Sequence, residues 1–143
     1  MNKSSTLIKV GNVFVTILTP LTILMLSIRL LITPFFAQIE YHMPGFPEDP
    51  FGFSLKDRLI WSDPSIRYLV NSEGITFLEE LRFEDGEPIF NERELSHMQD
   101  VKKVVTGMRI AMMGAILMLV VITVLAIKGG WQRSLLIANV RGA

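Results

Sequence analysis

Two long uncharged apolar runs constrain the fold of this chain most strongly. Residues 13–28 read VFVTILTPLTILMLSI and residues 110–127 read IAMMGAILMLVVITVLAI. A bilayer core about 30 Å thick is crossed by roughly 20 mostly apolar helical residues. Buried core helices of a soluble protein are the alternative, but two such runs within 143 residues disfavour it. A cleaved signal peptide is also disfavoured, because the first run is long and no small-residue cleavage site follows it. The sequence therefore predicts two transmembrane helices.

The charged residues indicate how these helices are oriented. All 14 acidic residues fall in the segment 40–109, which carries a net charge of −6, while the rest of the chain carries +6. Lys3 and Lys9 precede the first run, and the stretch that follows this run is poor in basic residues. Because Lys and Arg concentrate on the cytoplasmic side of membrane proteins, we predict a multi-pass protein with both termini in the cytoplasm. Residues of about 40–105 are then extracytoplasmic.

The first transmembrane helix admits two lengths. A span of 10–28 leaves Arg29 at the outer interface, which we favour, whereas the longer span 13–36 places this charge inside the membrane, where it would be functional. Residues 1–12 are predicted to be a short cytoplasmic lead. Polar side chains spaced along the run, including Thr16 and Thr19, predict that one side of this helix packs against protein.

Local patterns between the two runs predict a small mixed domain, residues 37–91. Ser54 and the Asp63–Pro64 pair are typical helix starts and indicate two short helices. The Asp85–Gly86 pair indicates a tight turn between two short strands. The predicted fold class is therefore a mainly α membrane protein, in which two transmembrane helices flank a small α+β extracytoplasmic domain with a short β-hairpin.

Asn91 begins the last predicted helix. Glu94 follows three residues later, as in a capping box, and no proline occurs after it. We therefore predict one long helix over 92–127, an extracytoplasmic stalk that continues as the second transmembrane helix. Residues 128–143 are then a cytoplasmic tail or the start of a third helix. Three small residues spaced by four form a seam for a possible helix partner: Gly107, Ala111 and Ala115.

Three polar residues share one face of the predicted stalk: Arg93, His97 and Asp100. Since His97 precedes Ile110 by 13 residues, it lies at most about 20 Å from the apolar core, near the depth of lipid ester groups. A histidine beside a carboxylate is suited to general-base catalysis near neutral pH. The alternative is an ordinary solvated histidine on an exposed helix, which the spacing alone favours.

The remaining residue types exclude several kinds of site. The chain has no cysteine, which rules out disulfides, thiolate metal sites and cysteine nucleophiles. His42 lies beside Tyr41 in a proline-rich connection and is most simply a membrane-surface anchor. Two histidines without thiols make a poor zinc site, and no phosphate loop, nucleophile elbow or nucleic-acid motif occurs. We therefore expect no metal, no cofactor and no nucleic-acid partner.

Four strings carry a resemblance to one family of bacterial integral membrane proteins: RLLITP (29–34), EYHMPGFPEDPFGF (40–53), DRLIW (57–61) and FEDGEPIFNERELSHMQDVK (83–102). The chain resembles, over about residues 10–128, the lipoprotein intramolecular transacylases. The resemblance implies four transmembrane helices in the bacterial cytoplasmic membrane, with an extracytoplasmic domain between the first two. It also implies an acyltransferase that moves the sn-2 acyl chain of a diacylglyceryl-modified lipoprotein to the amine of its N-terminal cysteine.

The resemblance gives His97 a role, since it matches one of two histidines thought to serve this chemistry. The second belongs to a Phe-His motif between the third and fourth helices and has no counterpart here; His42 does not match it. The chain therefore resembles the N-terminal half of a family member. Arg93 facing the oxyanion and Asp100 orienting the imidazole are further hypotheses. The alternative function is a non-catalytic membrane protein whose outer domain binds a partner or lipid.

Overall fold

The computed structural model describes residues 3–142, and this part of the chain forms six helices. Their bounds are α1 Lys3–Leu31, α2 Pro34–Tyr41, α3 Leu55–Val70, α4 Thr76–Glu79, α5 Glu92–Lys128 and α6 Gln132–Gly142. Met1 and Asn2 of the predicted cytoplasmic lead, and Ala143 of the predicted tail, lie outside the described residues. The chain divides into two compact units: an apolar unit, up to Ser27 and from Met108 onward, and a middle unit, Ile28–Gly107.

Two of the helices are long and apolar enough to cross a membrane. They are 5–31 and Glu92–Lys128, and only 6% and 11% of their most apolar 18-residue windows are buried. The core helix of a soluble protein would be mostly buried, so these exposed apolar surfaces are compatible with lipid contact. The compartments predicted for the segments between and beyond these helices stay predictions.

The apolar unit is held together by small residues and by short polar side chains. Val15, Ala126, Leu135 and Ala138 form its buried core, and small residues such as the two alanines let helices approach closely. Three polar residues of α1 bond to α6: Asn12 Nδ2 donates to Ser134 Oγ (2.6 Å), Thr16 Oγ1 to the Ala138 carbonyl (3.2 Å) and Thr19 Oγ1 to Asn139 Oδ1 (2.9 Å). The predicted protein-facing polar side of the first helix is therefore observed at Thr16 and Thr19, whereas Ser27, predicted to belong to it, is exposed and bonds to the Ile23 carbonyl of its own helix.

The first helix ends earlier than the longer predicted span. α1 stops at Leu31, and α2 begins at Pro34, so the span 13–36 crosses a break in the helix. Thr33 caps α2, since its Oγ1 accepts from the Phe36 N–H at 3.2 Å. Arg29 lies in the last turn of α1 and donates to the Ile32 carbonyl at 2.9 Å.

The predicted α+β domain with a β-hairpin is wrong. Helices make up 75% of residues 3–142, and no strand occurs among them. The turn at Asp85–Gly86 is present, with Gly86 at φ +88° and its N–H bonded to the Phe83 carbonyl at 3.0 Å. The flanking segments meet in only an isolated bridge between Arg82 and Pro88. Proline has no N–H to donate to a ladder, so the pairing does not extend into strands.

The two short helices predicted for residues 54–74 are also wrong, because one helix, α3, covers most of this segment. Ser54 does cap it, in a capping box with Asp57. Pro64 lies inside the helix, and Asp63 does not start a new one. Its carboxylate instead accepts from Arg67 Nε at 2.5 Å, one turn further on.

The long helix predicted over 92–127 is observed as α5, Glu92–Lys128. The capping box that begins it is formed in both directions. The Asn91 N–H donates to Glu94 Oε2 (2.9 Å), and the Glu94 N–H donates to Asn91 Oδ1 (3.0 Å). Gly130, at φ +70°, turns the chain after α5.

Candidate functional site around His97

A groove of about 590 Å³ lies beside the first turns of α5 within the middle unit. Its lining is part apolar and part polar: Ile89, Phe90, Asn91, Arg93, Glu94, His97 and Met98. Two of the three predicted site residues, Arg93 and His97, therefore line the same groove. Both are exposed, and they are four residues apart, which places them on one face of the helix.

The two residues of the capping box, Asn91 and Glu94, form part of the lining of this groove. Because Glu94 and Asn91 bond to each other's backbone N–H groups, the first turn of α5 is fixed and the Glu94 carboxylate has a structural task. Among residues 3–142 no hydrogen bond engages the His97 ring or the Arg93 guanidinium, so both are available to a ligand. The groove thus combines a proton acceptor, a cation and an apolar wall.

Asp100 does not join the other two site residues in a hydrogen-bonded chain. Its carboxylate accepts from Lys103 Nζ at 2.9 Å, and in the described part of the chain it makes no hydrogen bond to His97. The pKa of Asp100 is held below its ordinary value, mainly by the hydrogen bond from Lys103 and that lysine's charge, with a smaller contribution from the charge of His97. Any influence of Asp100 on the imidazole is therefore electrostatic.

Lys102 is a structural residue that sequence reasoning missed. Its Nζ donates to Asn71 Oδ1 (2.9 Å) and to the Glu73 carbonyl (2.6 Å), and lies 3.9 Å from the centre of the Tyr68 ring. Tyr68 is only 2% exposed, and burial raises the pKa of its phenol, with a further contribution from the charge of Glu79. Lys102 thereby ties α5 to the end of α3, five residues beyond His97. Its partners are about 30 residues away in sequence, so no local pattern pointed to them.

Arg58 is a second residue that sequence reasoning missed. Its guanidinium donates to the Pro47 carbonyl at 2.9 Å and lies 3.9 Å from the Asp49 carboxylate. The same group sits 4.9 Å from the Tyr41 ring centre and 4.6 Å from that of Phe46. Arg58 therefore organises the proline-rich connection between α2 and α3.

His42 lies apart from the His97 groove. At the end of α2, its Nδ1 donates to the Gln38 carbonyl at 2.7 Å, which leaves Nε2 as the acceptor of the neutral ring. It lines a different groove of about 610 Å³ between α2 and α3, together with Lys56. Within residues 3–142 no three histidine or carboxylate side chains converge as metal ligands would; the expectation of no metal and no cofactor stays a prediction.

Comparison with known proteins places the whole arrangement in one family. The chain is 30% identical over 95 residues, 66% of its length, to an uncharacterized protein of Aquifex aeolicus (strain VF5), and the match covers 44% of that protein. No solved structure matches this chain. The profile of the family described as lipoprotein intramolecular transacylase Lit matches residues 13–140, which include α1 from Val13 onward, α5 and the His97 groove. The chain therefore belongs to the lipoprotein intramolecular transacylase family.

Proposed function

We propose that this chain acts in intramolecular acyl transfer on diacylglyceryl-modified lipoproteins in the bacterial cytoplasmic membrane. The observation that carries the proposal is the groove in which His97 and Arg93 lie together beside apolar side chains. That groove is on α5, the helix whose other end is apolar enough to cross a membrane. A family whose described activity is lipoprotein transacylation supports the same reaction.

The reaction needs a base, a cation and positioning. The amine of the lipoprotein's N-terminal cysteine attacks the carbonyl carbon of the sn-2 ester. An amide C–N bond forms, the bond from the carbonyl carbon to the sn-2 oxygen breaks, and the proton leaving nitrogen ends on the glycerol oxygen. Because both groups belong to one molecule, holding them together supplies much of the rate.

His97 and Arg93 divide the remaining work. His97 accepts the proton from the amine and returns it to the leaving oxygen, as general acid–base catalysis requires. Arg93, one helical turn before it, stabilises the negative oxygen of the tetrahedral intermediate. Ile89, Phe90 and Met98 offer the acyl chain an apolar wall.

Asp100 has a lesser role in this proposal. Its carboxylate is paired with Lys103 at 2.9 Å, so it acts on the imidazole through its charge and not through a hydrogen bond. An ion pair that is itself exposed exerts a weak field, because water and salt screen it. We therefore assign it a minor share of the catalysis.

The membrane arrangement is part of the proposal. Residues of about 40–105 face the extracytoplasmic side, both termini are cytoplasmic, and the chain is multi-pass. His97 then lies at most about 20 Å beyond Ile110 along α5, at the depth of lipid esters. Of the small-residue seam on α5, Gly107 and Ala111 are exposed and accessible to another helix, whereas Ala115 is buried.

Acyl-chain position on a reporter lipoprotein tests the function. The 143-residue chain and its His97→Asn variant are expressed in a bacterium whose lipoproteins keep a free N-terminal amine. Transfer within one molecule leaves the mass unchanged, so the N-terminal peptide is read by its fragment ions and by loss of amine reactivity. We expect the chain to produce the N-acylated, lyso-form peptide, and His97→Asn to produce none.

Gln99→Ala is the matched control, since this exposed residue lies on α5 but does not line the groove. It should leave the product unchanged. Undiminished transfer by His97→Asn would contradict the assigned base. Absence of lyso-form product from the unaltered chain, despite its presence in the membrane, would favour the alternative of a non-catalytic protein that binds a partner or lipid.

A further inference from the structure

We infer that α2 lies in the membrane interface at the leaflet where α1 ends, with Phe35, Ile39 and Met43 among the lipid acyl chains. This interaction surface is separate from the His97 groove, whose lining shares no residue with it. The inference does not depend on acyl transfer, but only on α1 crossing the membrane.

The apolar stripe is the first observation. Phe35, Ile39 and Met43 follow each other at intervals of four, and their side chains are 71%, 48% and 57% exposed. At about 100° per residue Phe35 and Ile39 lie on one side of α2, whereas Ala37 lies on the opposite side. Met43 comes two residues after the end of α2, where its N–H bonds to the Glu40 carbonyl at 3.0 Å. Ala37 is buried, and the groove between α2 and α3 includes it. α2 therefore packs on the rest of the middle unit through one face and exposes large apolar side chains on the other.

The short connection between α2 and the end of α1 indicates that lipid covers the stripe. α1 ends at Leu31 and α2 begins at Pro34, so the two helix ends are separated by no more than about 11 Å of chain. Arg29 donates to the Ile32 carbonyl at 2.9 Å and so places its charge at this junction, as a residue at the edge of the hydrocarbon would. An exposed apolar stripe this close to the end of a membrane-spanning segment meets lipid.

Backbone groups at both ends of α2 have hydrogen-bond partners, as a position near the membrane hydrocarbon requires. Unpaired backbone groups are costly near hydrocarbon, where little water can replace the lost partner. Thr33 Oγ1 accepts from the Phe36 N–H (3.2 Å) and donates to the Leu30 carbonyl (2.9 Å). At the other end His42 Nδ1 donates to the Gln38 carbonyl at 2.7 Å. Both ends of α2 are therefore closed by side chains of its own segment.

A second copy of the chain is a poorer occupant than lipid. The stripe is one side chain wide and three long, and stable protein–protein interfaces bury roughly 800 Å² on each partner. α2 is short and has no basic residue, but like longer interfacial helices it exposes one apolar face, which such helices insert into the acyl region. We therefore assign the stripe to lipid.

Site-specific fluorescence quenching tests this inference on the intact chain. Since the chain has no cysteine, single variants Phe35→Cys, Ile39→Cys and Met43→Cys each carry one environment-sensitive label after reconstitution into phosphatidylcholine–phosphatidylglycerol vesicles. Glu40→Cys is the control on the same helix, exposed but off the stripe. Leu24→Cys, 57% exposed within α1, is the membrane reference.

Labels at 35, 39 and 43 should be quenched by bromine-labelled lipid as strongly as the label at 24. Their quenching by iodide should be roughly tenfold weaker than at 40, because a charged quencher is excluded from hydrocarbon. Iodide quenching equal to that at 40 would show that the stripe faces water. Labels that neither quencher reaches would show that protein covers it. Either result overturns the inference.

A label at 24 that bromine-labelled lipid does not quench would overturn the membrane placement of α1 and the inference with it. The lyso-form assay on the reporter lipoprotein reads the proposed function separately, so the two failures are distinguishable. All labelled positions are exposed, so the substitutions leave the core of the chain intact.

Discussion

Lys102 and His97 lie five residues apart on α5, and their side chains are in opposite situations. Lys102 is held by Asn71, the Glu73 carbonyl and the Tyr68 ring. His97 is exposed in its groove, and among residues 3–142 no hydrogen bond engages its ring. One helix thus carries a cation that builds the fold and a base that is left available.

Whether a polar side chain has partners within the chain distinguishes structural from chemical roles more clearly than its residue type does. A polar group whose partners lie within the chain has its interactions with water replaced, so removing it costs stability. A polar group that still faces solvent contributes little to folding and retains its capacity to bind. By this criterion Arg58 belongs with Lys102, and Arg93 belongs with His97.

Replacing His97 is expected to have the largest effect. The variant His97→Asn removes the proton acceptor, and general acid–base catalysis typically contributes about 10²–10⁴-fold to the rate. The temperature of unfolding in detergent should stay the same, because the side chain is exposed. Initial rates of lyso-form production check the loss of activity, and thermal unfolding checks that the stability is unchanged. If His97→Asn lost stability as well as activity, His97 would have a structural role like that of Lys102, which would contradict the comparison.

Replacing Lys102 should have the reverse profile. Lys102→Met removes two hydrogen bonds donated by the charged Nζ and a cation–π contact. The free energy of unfolding should therefore fall by about 1–3 kcal/mol. Amide hydrogen exchange in the segment 71–79 should quicken, since this segment loses its tie to α5. Exchange measured by mass spectrometry on the intact protein checks the prediction.

The adjacent lysine is the control for that experiment. Lys103 is 75% exposed on its side chain and pairs with Asp100, which is also largely exposed. Exposed pairs of this kind contribute little, so Lys103→Met should leave exchange in 71–79 unchanged. Equal effects of the two substitutions would mean that the partners of Lys102 do not matter.

A smaller, local effect is expected at Arg58. The Arg58→Lys variant keeps the positive charge but lacks the planar guanidinium group that contacts Pro47 and two aromatic rings. The loop before α3 should therefore become more mobile. Asp49 pairs with Arg58 through Oδ2, while its Oδ1 accepts from the N–H groups of Phe51 (2.8 Å) and Phe53 (3.3 Å). Exchange of these two amides should quicken about fivefold, equivalent to about 1 kcal/mol. Lys56→Met, on the same helix, should leave it unchanged.

The comparison also explains which features the sequence could predict. The cap of α5 was predictable because Asn91 and Glu94 are three residues apart and their hydrogen bonds are local. The polar side of α1 was predictable because Thr16 and Thr19 recur within a helical run. Its partner α6 was not, because Ala138 and Asn139 lie about 120 residues away.

The same distinction accounts for the errors. Asp85–Gly86 forms its turn, but whether strands follow depends on pairing across it, and Pro88 limits that pairing to one bridge. Asp63–Pro64 has the composition of a helix start, yet Asp63 bonds to Arg67 and the helix continues. His97 and Arg93 were expected to lie together because they are spaced by one turn, and they line one groove. Lys102 and Arg58 were missed because their partners are distant.

Asp100 should give the smallest effect of all, and its pH dependence tests why. Hydrogen bonding and charge from Lys103 lower the pKa of Asp100 on folding, so the pair stabilises the protein above the unfolded value of about 4. That contribution is lost as the pH falls through the lower folded pKa, and Asp100→Asn should remove this dependence and lower the unfolding temperature at pH 7 only slightly, because both partners of the pair are largely exposed. Because Asp100 reaches His97 only through its charge, the variant should slow lyso-form production less than about tenfold. A loss as large as that of His97→Asn would mean that Asp100 leaves Lys103 and bonds the imidazole during the reaction.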